Sequence, residues 1–227
     1  IHSAEQLGLD ASRIATLDPP RREALSVGLH HTGGKDGAGA RGQLCLYVPE
    51  TYDGTEEWPL VVALHGANFD GHAYVSQAQN DGAAAVLVSA PVTSSLPQLQ
   101  VDDTQRALGL LGAYNRQLYI GPLVAITGSS GKTTVKNMVS AVLSRRGETL
   151  ATEGNFNNEI GVPLTLLRLR PGVEFAVVEM GAAKAGDIDW LCELARPTVA
   201  LLLNAMPAHL QGFGSVDGVA MAKGEIF

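Results

Sequence analysis

The chain has little cysteine, few aromatic residues and no long apolar run. Its two cysteines, Cys45 and Cys192, stand far apart without a C-x-x-C spacing. That excludes a disulfide framework and a thiolate zinc site, and fits reduced thiols in a cytoplasmic protein. No apolar run approaches the ~20 residues of a membrane span. The opening residues, Ile1 to Glu5, lack the charged and apolar regions of a signal peptide. They also lack methionine, so a processed or fragmentary amino terminus is expected. Lys and Arg number 16 against 23 Asp and Glu, a net charge of −7, with no basic face of the kind nucleic acid requires. This balance does not exclude a nucleotide, because a loop can capture phosphate locally. A G-x-S-x-G nucleophile elbow is missing altogether, and Gly128-Ser129-Ser130-Gly131 has the wrong register for one.

What is present centres on Leu123 to Lys136. The apolar run Leu123 to Ile126 reads as a short buried strand and breaks into Gly128-Ser129-Ser130-Gly131. A helical pattern follows from Lys132 to about Ser144. Strand, glycine-rich turn and helix form the context of a phosphate-binding loop. Its glycines let backbone N–H groups turn inward while the new helix aims its positive end at the same point. Gly128, Ser129, Ser130, Gly131, Lys132, Thr133 and Thr134 are therefore the expected nucleotide contacts. Lys132 can reach terminal phosphates, and the Thr133 hydroxyl can ligate Mg2+. The spacing departs from the common eight-residue pattern, which places glycine where Ile126 stands.

Upstream, Gln43 to Pro49 and Pro59 to Leu64 read as strands, separated by a polar turn at Thr51 to Glu57. Loop composition is expected at Asp18 to Arg22 and Thr32 to Gly37. The adjacent His30 and His31 point different ways in an extended chain, which argues against a metal site. A helix is expected from about His72 to Asp81, then strands at Ala84 to Val88 and Leu99 to Val101. Asp102-Asp103-Thr104 caps a helix ending near Tyr119. Arg116 to Tyr119 with Gly121-Pro122 reads as a linker into the loop strand. Downstream, strands are expected at Thr149 to Thr152, Phe175 to Val178 and Thr198 to Leu203, and helices at Gly161 to Leu167 and Asp187 to Leu194. Glu153 to Glu159 is a polar cluster open to a surface-turn reading as well as a functional one. Glu179 falls at the carboxyl end of its strand, where ligands bind in open parallel sheets. A carboxylate there could share the Mg2+ of Thr133. The fold class is α/β: a mainly parallel phosphate-loop sheet flanked by helices, preceded by a small α/β amino-terminal domain.

Two resemblances follow. Residues from about 20 to 66, through Leu46 to Pro49 and Trp58 to Gly66, resemble the opening of an α/β-hydrolase esterase. There His65-Gly66 would begin an oxyanion loop, but without a placed serine no acyl-transfer mechanism follows. From about residue 60 onward the chain resembles the Mur ligase family. The resemblance is carried by Asn68 to His72, Thr127 to Thr134, Gly154 to Pro163, Glu179 to Gly181 and Ala208 to Gly214. Within that family the Asn155-Phe156-Asn157-Asn158-Glu159 run is similar to the branch that adds D-alanyl-D-alanine to UDP-N-acetylmuramoyl-tripeptide.

The resemblance implies an ATP-dependent, amide-forming ligase of peptidoglycan synthesis that works through an acyl phosphate with ATP and Mg2+. It implies Lys132 on the ATP phosphates, Thr133 and Glu179 on one metal, His209 at a second, and Lys223 as the lysine that is carbamylated to bridge metals. Asn155, Asn157 and Asn158 offer amides for substrate or nucleotide. The Ser/Thr-Asp-Ser/Thr-Arg run of the family's uridine-binding domain is missing, and the end at Phe227 leaves out the family's carboxy-terminal domain. The expected division is an esterase-like segment over 1–59, a remnant of the UDP-binding domain over 60–120 and a truncated ATP-binding domain over 121–227, inactive alone. Alternatives are an esterase fragment and a non-catalytic nucleotide-binding module.

Overall fold

Short β-branched and leucine-rich runs between turn residues become strands, and longer periodic runs become helices. The computed structural model describes residues 26–30, 45–50, 60–64, 70–207 and 210–227. The chain forms two compact units, which divide between Ala107 and Leu108.

In the first unit, β1 (Ser26–His30), β2 (Cys45–Glu50) and β3 (Leu60–Val62) pair antiparallel in sequence order. A 3-10 turn over Gly71–Tyr74 leads into α1 (Val75–Asn80), then β4 (Ala85–Val88) and β5 (Gln98–Gln100). These last strands join β3 in parallel, giving a five-stranded mixed sheet in the order β1-β2-β3-β4-β5. Strands from both sides of residue 60 thus share one sheet. Ala63, Val75, Ala78, Val86 and Val88 form its buried cluster. The helix expected from His72 begins as a 3-10 turn, capped by Asp70, whose Oδ1 accepts from His72 N at 2.9 Å.

α2 (Thr104–Leu118) follows; Asp103 Oδ1 accepts from Arg106 N at 2.9 Å, as the capping pattern predicts. The second unit then alternates strand and helix: β6 (Leu123–Thr127), α3 (Lys132–Leu143), β7 (Thr149–Ala151), α4 (Gly161–Leu167), β8 (Phe175–Glu179), α5 (Asp187–Ala195) and β9 (Val199–Leu202). Two helices, α6 (Leu210–Phe213) and α7 (Val216–Gly224), complete it. The four strands are all parallel, in the order β7-β8-β6-β9. Both faces of the central strands are covered, so β6 and β8 read as near-continuous apolar runs. Leu123, Ala125, Ala176 and Val178 pack with Val162, Leu166, Ile188 and Leu191 from α4 and α5.

Arg116, expected in a linker, is instead a buried part of α2. Its guanidinium donates to the carbonyls of Ala195 at 2.6 Å, Tyr119 at 2.7 Å and Arg196 at 3.0 Å. Its charge thereby satisfies the end of α5, a helix whose last carbonyls lack intrahelical donors. Burial, more than the nearby charges, pushes the Arg116 pKa down.

Candidate functional site

The carboxyl ends of β6, β8 and β9 bring their following loops together, which is where ligands bind in an open parallel sheet. Gly128 to Gly131 connects β6 to α3. Gly131 stands immediately before the helix at φ 79°, a left-handed conformation that favours glycine, and no side chain caps the helix behind it. The amides of Gly131, Lys132, Thr133 and Thr134 therefore begin a helix without an intrahelical acceptor, ready for an anion.

Lys132 folds back, its Nζ donating to Gly128 O at 2.9 Å. Thr133 Oγ1 donates to Glu179 Oε2 at 2.9 Å, and Asn157 Nδ2 donates to Glu179 Oε1 at 2.7 Å. Both carboxylate oxygens of this 2%-exposed residue are thus engaged. The third partner is Lys136, whose buried ammonium lies 3.9 Å from Glu179 Oε2 and donates to Thr152 O at 2.7 Å. Glu179 N donates to Thr152 Oγ1 at 3.0 Å, so one threonine orients both members of the pair. Asn157 is itself fixed, its carbonyl accepting from Gly181 N at 2.7 Å. A Cβ at Gly181 would fall 2.9 Å from Asn157 Oδ1, so the close approach needs glycine there.

A cavity of about 360 Å3 opens beside this group, lined by Gly128, Ser129, Lys132, Asn157, Asn158, Glu159, Gly181, Asp187 and Lys223 among others. Its charged lining is two ammonium groups, Lys132 and Lys223, and two carboxylates, Glu159 and Asp187. Lys223 is 2% exposed and sits 5.8 Å from the ring centre of Phe213. Burial first, and then the charge of Lys132, hold its amine below the usual lysine range. Asp187 is a structural member of the lining, with Oδ2 accepting from the amides of Ala183 and Lys184 at 2.8 and 3.0 Å.

Of the residues expected from the sequence, Gly128, Ser129, Lys132, Asn157, Asn158 and Lys223 therefore meet at the cavity, with Thr133 and Glu179 adjoining through Asn157. Asn158 also caps α4, its Oδ1 accepting from Gly161 N at 2.9 Å. Asn155 is exposed and does not line the cavity. Ser130 and Thr134 are exposed beside the loop. His209 lies outside the described residues, as do Asn68, Phe69, His65, Gly66 and the turns expected at 18–22, 32–37 and 51–57.

Sequence reasoning missed Lys136, although it stands one helical turn after Lys132 and so on the same face. It also missed Asn204, just past β9, at the same kind of strand end as Glu179. Asn204 Oδ1 accepts from the amides of both Ser129 and Ser130, each at 3.1 Å. Those two amides, expected to face phosphate, are turned to a side chain.

A single Mg2+ fits the oxygen pair. Its near-octahedral shell at about 2.0–2.1 Å places neighbouring ligands close to 2.9 Å apart. Thr133 Oγ1 and Glu179 Oε2 already stand 2.9 Å apart through the hydroxyl's own hydrogen bond, so the fit rests on two hard oxygen donors side by side, and an ion would replace that bond. Among the described residues no group of three or more His, Cys, Asp or Glu is arranged for a metal. Mg2+ does not need one, since it commonly takes one or two protein oxygens and completes its shell with phosphate and water.

Residues 126–227 match the Mur ligase middle domain. The chain is 55% identical to the UDP-N-acetylmuramoyl-tripeptide--D-alanyl-D-alanine ligase of Escherichia coli over 74% of this chain and 37% of that protein. The Bacillus subtilis ligase of the same name is 42% identical, over 75% of this chain and 38% of its own. Among solved structures, MurF from Acinetobacter baumannii gives a TM-score of 0.72 at 45% identity, covering 74% of this chain and 37% of that one. MurF from Thermotoga maritima, determined in complex with ADP, gives 0.69 at 37% identity, over 74% and 39%. The chain spans 37–39% of the length of these relatives.

Proposed function

We propose that the chain belongs to the Mur ligase family, whose middle domain its residues 126–227 match, and that it carries the phosphate- and metal-handling part of a D-alanyl-D-alanine-adding ligase. The reaction is ATP-dependent amide formation in cytoplasmic peptidoglycan precursor synthesis. The carboxylate of UDP-N-acetylmuramoyl-tripeptide is activated as an acyl phosphate, which the amine of D-alanyl-D-alanine attacks. Residues 121–227 supply the nucleotide-binding domain and 60–120 belong to the UDP-binding domain, with β1 and β2 of the esterase-like stretch 1–59 pairing into the same sheet as β3, β4 and β5.

The observation that carries this reading is the convergence of Thr133, Glu179 and Asn157 beside an uncapped helix start. Lys132 leaves Gly128 O to contact the nucleotide phosphates, together with the loop and the first amides of α3. Thr133 Oγ1 and Glu179 Oε2 would hold Mg2+, which would supply charge neutralisation between phosphate and carboxylate, groups that otherwise repel. Asn157 fixes Glu179 through Oε1, and an ion on Oε2 would replace the hydrogen bond that Thr133 makes there. Lys223, buried beside the cavity with its proton affinity lowered, is suited to carbamylation, and His209 is assigned to a second metal. Asn155 and Asn158 complete the amide set offered to substrate or nucleotide.

Titration calorimetry of the chain with ATP and Mg2+ tests the reading. The wild type is expected to bind, and Lys132→Ala to bind at least about tenfold more weakly, one charge-assisted contact being lost. Equal affinity in the two proteins would sink the phosphate-loop assignment. Phosphate release dependent on both UDP-N-acetylmuramoyl-tripeptide and D-alanyl-D-alanine separates ligation from simple nucleotide binding.

A further inference from the structure

The loop from Gly128 to Gly131 is stitched to the segment after β9 by more bonds than strand pairing requires. β6 and β9 run parallel, and Leu203 N still donates to Thr127 O at 3.0 Å. Beyond that point the contacts change character. Ser129 N is shared between Asn204 O at 3.2 Å and Asn204 Oδ1 at 3.1 Å. Ser130 N donates to the same Oδ1 at 3.1 Å, and Asn204 Nδ2 returns a bond to Ser130 O at 3.2 Å. Ser129 Oγ donates to Met206 O at 3.1 Å and accepts from Met206 N at 2.9 Å. One carboxamide oxygen thus receives two successive loop amides, the position that a phosphate oxygen occupies in a full-length phosphate loop.

The shortened spacing of the loop gains a physical reason from this. A full-length loop wraps phosphate with amides drawn from its whole length, beginning at a glycine where this chain has Ile126. Ile126 is fully buried in β6 and stays in the sheet. The short turn then has fewer amides to offer, and two of them are committed to Asn204.

We infer that Asn204 is a positioning residue whose carboxamide takes the place of a phosphate oxygen on the amides of Ser129 and Ser130. It holds the loop in its binding form before nucleotide arrives. Phosphate then falls to Lys132 and to the amides of Gly131, Lys132, Thr133 and Thr134. This refines the nucleotide reading above and rests on it.

Residue-resolved amide exchange by NMR on the full chain, with and without Mg2+ and ATP, tests the assignment. In the wild type, Ser129 and Ser130 should exchange slowly without nucleotide and change little with it, while Gly131 to Thr134 slow only when ATP is present. Asn204→Ala should speed exchange at Ser130 by about tenfold in the nucleotide-free protein, and at Ser129 by less, because that amide keeps the Asn204 carbonyl. Asn204→Asp, which keeps the acceptor, should retain protection at both amides and also serves if the alanine variant does not fold. Unchanged nucleotide-free exchange in Asn204→Ala would overturn the role of Asn204. New protection at Ser129 and Ser130 on adding ATP would overturn the division of the amides. A wild-type chain that gives no heat with ATP fails the nucleotide reading and the phosphate half of this one, while the nucleotide-free comparison still decides whether Asn204 holds the loop.

Discussion

The Lys136 ammonium and the Glu179 carboxylate lie 3.9 Å apart with side chains only 4% and 2% exposed. A buried pair of this kind contributes little net stability against an apolar replacement, but removing one partner leaves an unpaired buried charge. Lys136→Met is therefore expected to lower unfolding stability by about 3 kcal/mol. The double variant with Glu179→Gln should lose less than the sum of the two single losses. Urea denaturation of the four proteins measures the coupling, and strict additivity would contradict it.

The proposed metal contact makes a second prediction. Asn157→Leu removes the donor that fixes Glu179 Oε1. Outer partners of metal ligands typically contribute about 10–100-fold in metal affinity. Mg2+-dependent nucleotide affinity should fall by about tenfold at least, with binding in excess chelator unchanged. Equal losses with and without Mg2+ would assign Asn157 to the nucleotide instead.

Arg116 gives the opposite profile, structural without being chemical. Its three carbonyl contacts need a forked donor, which a lysine ammonium cannot imitate. Arg116→Lys should lower stability by about 2 kcal/mol and leave nucleotide affinity at its wild-type value. Thermal unfolding and calorimetry on the same sample check both halves.

Lys223 should make stability depend on pH in a direction that can be worked out. Its folded-state pKa is lowered, first by burial and then by Lys132, so the unfolded chain binds the proton more tightly. The cost of burying the charge is present in full below the folded pKa and disappears as pH rises towards the unfolded value of 10.5. Lys223→Met should therefore raise Tm at neutral pH, by an amount that shrinks with increasing pH. A constant difference across that range would rule out the charge as its cause.

The thiol of Cys192 is pushed up to about 11, by burial first and then by Asp189 and Glu225. Only the thiolate is a nucleophile, so at pH 8 roughly one part in a thousand is reactive. Alkylation by iodoacetamide, mapped to the Cys192 peptide, should be slow at pH 8 and keep accelerating to about pH 11. A plateau near pH 9 would mean an unshifted thiol.

The sequence was most legible where local rules act alone. β6, the glycine turn and α3 are signalled by composition and period, and α4 begins at Gly161 with proline in its first turn. Glu179 was legible because strand ends collect ligands. Lys136, Asn204 and Arg116 were harder for one reason. Their partners lie far along the chain: Thr152 and Glu179 for Lys136, Ser129 and Ser130 for Asn204, and Ala195 and Arg196 for Arg116. A polar side chain satisfied only across the fold looks, in sequence, like any solvated one. The polar run from Glu153 to Glu159 divides in the same way. Asn157 turns to Glu179 and Asn158 to the start of α4, while Asn155 stays exposed, and nothing in the composition separates them.

α3 starts from Gly131 with no side chain to finish it, in contrast to α7, where Ser215 Oγ accepts from Gly218 N at 3.0 Å. An anion at that end would do for α3 what serine does for α7. Ligand binding and completion of the helix then become one event, and occupancy can be read as heat resistance. At a nucleotide concentration of about 100 times Kd, mass action alone adds about 2.7 kcal/mol to the folded state. A melting curve taken across a nucleotide series would report saturation without any turnover.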